Sequence, residues 1–103
     1  MRINIFLKSN IDKKARRDMF INIVSNLLSG DHNIKIIQSP SDAMILTNKS
    51  FYNLLEPTEY SRGHRCEIAY HESDLNRDEL TIVQKSITGS IDDNIFVIKE
   101  EWL

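Results

Sequence analysis

His64, Cys66 and His71, with Glu67 and Glu72 among them, are the residues whose types come closest to chemistry. Imidazole nitrogen and thiolate sulfur are the ligands zinc prefers, usually four of them in a structural site. The spacing works against that use. On a β-strand His64 and Cys66 share one face and His71 points to the other. No Cys-x-x-Cys or further His pair completes a ligand set, so no metal is expected. A small enzyme built on the same three residues would need a base within hydrogen-bond reach of the Cys66 thiol. His64, two residues away, stands ~7 Å off along a regular strand. None of the ten serines lies in a Gly-x-Ser-x-Gly turn. The expectation is therefore a half-buried Cys66 flanked by surface histidines, in a protein that is not an enzyme and carries no cofactor.

Carboxylates are the second candidate. Residues 1–50 carry eight Lys or Arg against four Asp or Glu, whereas residues 51–103 carry five against eleven. Adjacent pairs such as Asp78-Glu79 and Asp92-Asp93 diverge from one another, which suits solvent better than general acid–base work. If the surplus gathers on one face, it attracts a basic partner and speeds association. Glu72, Asp74, Asp78, Glu79, Asp92 and Asp93 are the residues expected to form that acidic surface. Another protein is the expected partner, in particular a basic nuclease or nucleic-acid-binding effector. The role that follows is stoichiometric inhibition, of the toxin-immunity or phage counter-defence kind.

Direct contact with nucleic acid is disfavoured. The basic run Lys13-Lys14-Ala15-Arg16-Arg17 opens a helix, where cations oppose the dipole, and it lacks interleaved aromatics for base stacking. The sequence pI is about 5.9. Three isolated glycines form no phosphate cradle. A single cysteine rules out an intramolecular disulfide and suits a reducing compartment. The stretch Met1–Lys8 is too interrupted for a signal-peptide apolar region, and no run is long enough for a membrane span. The chain reads as cytoplasmic.

The elements that must position these residues follow from periodicity. A chain of 103 residues builds one domain, residues 1–103. Fifteen Ile against nine Leu favours strands. Ile3, Ile5 and Leu7 share a parity, predicting a half-buried strand. Ala15, Met19, Phe20, Ile23, Val24, Leu27 and Leu28 repeat at helical spacing. They predict a long amphipathic helix over about 11–29, with Asn10 as N-cap, Asp12 in the first turn and Gly30 as the stop. Its polar face holds Lys13, Lys14, Arg16, Arg17, Asn22 and Ser25.

Strands are predicted at Asn33–Gln38 and, buried on both faces, at Ala43–Thr47, with a turn around Pro40. A short helix is predicted at Ser50–Leu55. Arg65–His71 alternates as a strand with one solvated face, Ser73–Gly89 favours helix, and Asn94–Ile98 closes the sheet. The expected fold is α/β (or α+β): a mixed sheet of about five strands, one long helix and two shorter ones.

The strand-helix-strand-strand order from Ile3 to Thr47, and the ending Ile95-Phe96-Val97-Ile98-Lys99-Glu100-Glu101-Trp102-Leu103, resemble the BRCT family. Gly30-Asp31 stands where that family has Gly-Gly, and the stretch between Thr47 and Asn94 is longer than its pattern. The resemblance implies a phosphopeptide- or DNA-associated binding module, in which Ser9 and Lys49 would hold phosphoserine.

Overall fold

A computed structural model describes residues 1–8, 12–28, 35–38, 43–58 and 63–103, with backbone alone described over 35–38. The elements run β1 (Arg2–Phe6), α1 (Lys13–Leu27), β2 (Lys35–Gln38), β3 (Ala43–Leu46), β4 (Phe51–Leu55), β5 (Ile68–His71), α2 (Arg77–Lys85), α3 (Ile91–Asn94) and β6 (Ile95–Val97), closed by a 3-10 turn at Glu100–Trp102. One sheet takes them in the order β2-β3-β4-β1-β5-β6. Strand β1 is parallel to both its neighbours, β4 and β5, and β6 is parallel to β5. Strand β3 runs antiparallel to β2 and β4. The α/β class, the mixed sheet and the single compact domain agree with the sequence reading. Five strands have four or more residues, and β6 adds a three-residue edge.

Two apolar clusters, one on each face, hold the helices in place. On one face Ile3, Ile5 and Leu7 meet Phe20, Ile23 and Val24 of α1, Ala43 and Ile45 of β3, and Tyr52 and Leu54 of β4. On the other, Phe6, Leu55, Cys66 and Ala69 meet Val83 of α2 and Ile87. Crossovers of one hand that step in opposite directions across a parallel sheet put their helices on opposite faces. This is why α1, which leaves β1 towards β4, and α2, which leaves β5 towards β6, sandwich the sheet.

Several expectations are corrected. Residues 50–55 form strand β4 beside β1, not a helix. Tyr52 and Leu54 alternate into the α1 face, and pairing with both β1 and β3 outweighs local propensity. Strand β1 is buried on both faces, not one: Phe6 enters the α2 side, and the Asn4 amide donates to the His64 carbonyl at 2.7 Å. Strand β3 is the reverse case, since Leu46 is exposed where α2 does not reach.

Helix α1 is shorter than 11–29, and Asp12 is its N-cap, accepting from the Ala15 N–H at 3.3 Å. Asn10 and Gly30 lie outside the described residues, as do Asn33, Ile34 and Pro40. The alternation expected over 65–71 breaks before Ile68. Cys66 sits in the α2-side cluster and forms a separate bridge to Ile87, while Ile68 and Tyr70 pack on the α1 side. The helical reading of 73–89 holds over Arg77–Lys85. There Asn76 and Glu79 form a reciprocal capping box, each side chain 2.9 Å from the other's backbone nitrogen.

Candidate functional site

In open α/β sheets, the crevice outside the carboxyl ends of the strands, where the chain winds off in opposite directions, is the usual place for a site. Here it falls between β1 and β5. The residues that follow the strands there are Leu7 and Lys8 after β1, Glu56 after β4 and Glu72 after β5.

Lys8 and Glu72 span the crevice. The Lys8 backbone N–H donates to Glu72 Oε1 at 3.0 Å. The Lys8 ammonium donates to the Asp74 carbonyl at 3.0 Å and pairs with Asp74 Oδ2 at 3.6 Å and Glu79 Oε1 at 3.4 Å. Desolvation works against the ammonium, but the attraction of Asp74 and Glu79 outweighs it and holds the Lys8 pKa above its ordinary value. Burial pushes the Glu72 carboxyl above the usual range, with Asp74 adding to it and the Lys8 N–H opposing it.

Arg16 closes the crevice on the β4 side. It is not part of a solvated basic face, as its position in the Lys13–Arg17 run suggested, but is only 5% exposed. Its Nη2 donates to the Leu7 carbonyl at 2.9 Å and towards Leu55 at 3.4 Å; its Nε donates to Lys8 at 3.1 Å; and Nη1 stands 3.8 Å from Glu56. A planar fork of five donors suits this task, because it reaches the Leu7 and Lys8 carbonyls beyond β1 and adds a second, longer bond to the Leu55 carbonyl, which already accepts from the Leu7 N–H at 2.9 Å. Arg16 lies one helical turn before Phe20 and shares the inward stripe with it and Ile23. That spacing is the signal that could have revealed it.

The six acidic residues expected on one surface divide between the two edges of the sheet. Glu72, Asp74, Asp78 and Glu79 sit together at the carboxyl edge, where β5 ends and α2 begins. Asp92 and Asp93 occupy α3, immediately before β6, at the amino edge. Asp74 and Asp78 are exposed, whereas Glu72 and Glu79 are half-buried.

His64, Cys66 and His71 are not assembled into a site. Cys66 is buried with its Sγ 3.5 Å from Ser86 Oγ, and burial raises its thiol pKa. His64 is exposed, its Nδ1 3.3 Å from the Asn53 amide. His71 lies at the far end of β5, ~16 Å along the strand from Cys66. Its Nδ1 donates to the Glu72 carbonyl at 2.6 Å, since a carbonyl oxygen only accepts. Among the described residues no cluster of three His, Cys, Asp or Glu side chains is placed to hold a metal ion. No described helix is long and apolar enough to cross a membrane.

Ser9 lies outside the described residues. Lys49 precedes β4 at the amino edge, where its carbonyl accepts from the Met1 amino group at 3.0 Å.

Fold and site together define a small α/β domain with helices on both faces and a cluster of charged residues at its carboxyl edge. No family model, no curated protein and no solved structure matches the chain.

Proposed function

We propose that this protein works by stoichiometric binding to a basic protein surface, as an inhibitor of the toxin-immunity or phage counter-defence kind. Its contact surface is the acidic carboxyl edge formed by Glu72, Asp74, Asp78 and Glu79. The observation that carries the reading is how the cations of the crevice are used. Lys8 is committed to Asp74 and Glu79, and Arg16 to strand carbonyls and Glu56. Lys8 and Arg77, the latter exposed on the first turn of α2, together offset two of the four negative charges, which leaves the group net negative among the described residues. The exposed carboxylates of Asp74 and Asp78 therefore retain a negative field towards solvent. Such a field steers a basic nuclease or nucleic-acid-binding effector into contact and disfavours nucleic acid itself. Asp92 and Asp93, at the opposite edge, fall outside this surface.

The test has two stages. The immobilised full chain captures its partner from an extract of the source cells, and calorimetry then measures the purified pair. A 1:1 complex weakened at least tenfold by the double variant D74K/D78K, with a wild-type affinity that falls as salt rises, supports the reading. Unchanged affinity of D74K/D78K at low salt overturns it.

A further inference from the structure

We draw no further inference here: the strongest candidate, the exposed outer edge of β6 with Phe96 and Val97, carries nothing, because nothing in the structure shows what covers it.

Discussion

The Arg16 guanidinium donates to the Leu7 carbonyl at 2.9 Å, tying the first helix to the end of the central strand it has just left. The same side chain reaches Lys8 and Leu55, so one residue fixes the ends of β1 and β4 together. Its removal takes this donor from the Leu7 and Lys8 carbonyls, while the Leu55 carbonyl keeps the Leu7 N–H, and each such loss at a buried acceptor costs about 1–3 kcal/mol. R16M is expected to lower the free energy of unfolding by about 3 kcal/mol. R16K should recover only part of this, because an ammonium lacks the planar fork. Urea denaturation of the three proteins checks both statements.

Lys8 makes stability depend on pH at the alkaline end. Its pKa in the folded protein lies above the ordinary value of 10.5, because Asp74 and Glu79 outweigh desolvation. A cation whose folded pKa is raised contributes stability that is complete below the unfolded pKa and lost as pH rises through the folded one. K8M should therefore melt below the wild type at pH 8, with the gap narrowing above pH 10.5. Thermal melts of both proteins across that range decide it, and a gap that does not narrow removes the ion pairs from the account.

How much of the molecule is legible in its sequence depends on which force sets each element. Helix α1 is legible in outline because Phe20, Ile23 and Val24 repeat at a period that only a helix satisfies. Strand β4 is not, because Phe51-Tyr52-Asn53-Leu54-Leu55 is short and apolar, and its strand character comes from pairing with β1 and β3, which are distant in sequence. The acidic residues of the carboxyl edge stand out in the composition, but their division from Asp92 and Asp93 depends on strand direction, which composition does not encode. Arg16 is hidden for a different reason. It sits in a basic run that looks solvated, and the outward-facing carbonyls it serves exist only once the parallel strands are side by side.

Glu72 acts in the opposite sense to Lys8. Burial raises its pKa above 4.5, so the folded protein holds this proton more tightly than the unfolded chain does. Stability then falls as pH rises from the unfolded pKa through the folded one, and the penalty persists above it. E72Q keeps an oxygen to accept from the Lys8 N–H while removing the charge. Relative to the wild type, E72Q should gain stability on moving from pH 4 to pH 7. A difference that is flat, or that moves in the wild type's favour, would show that the bond to the charged carboxylate outweighs its desolvation.

Cys66 gives a direct reading of how the α2 side opens. It is 1% exposed, lies between β5 and Ile87, and has its thiol pKa pushed up mainly by burial, with Ser86 opposing. Thiolate, not thiol, attacks disulfide reagents, so both accessibility and ionisation protect it. At pH 8 the native protein should react with an aromatic disulfide reagent at least roughly hundredfold more slowly than a free thiol does. V83A, which thins the apolar cover supplied by α2, should accelerate labelling in proportion to the stability it removes, because modification then proceeds through transient opening. Labelling followed by absorbance, beside urea denaturation of the same variant, compares the two quantities. Fast labelling of the native wild type would mean that α2 parts from the sheet without unfolding the α1 side, making the two faces of the sheet separate cooperative units.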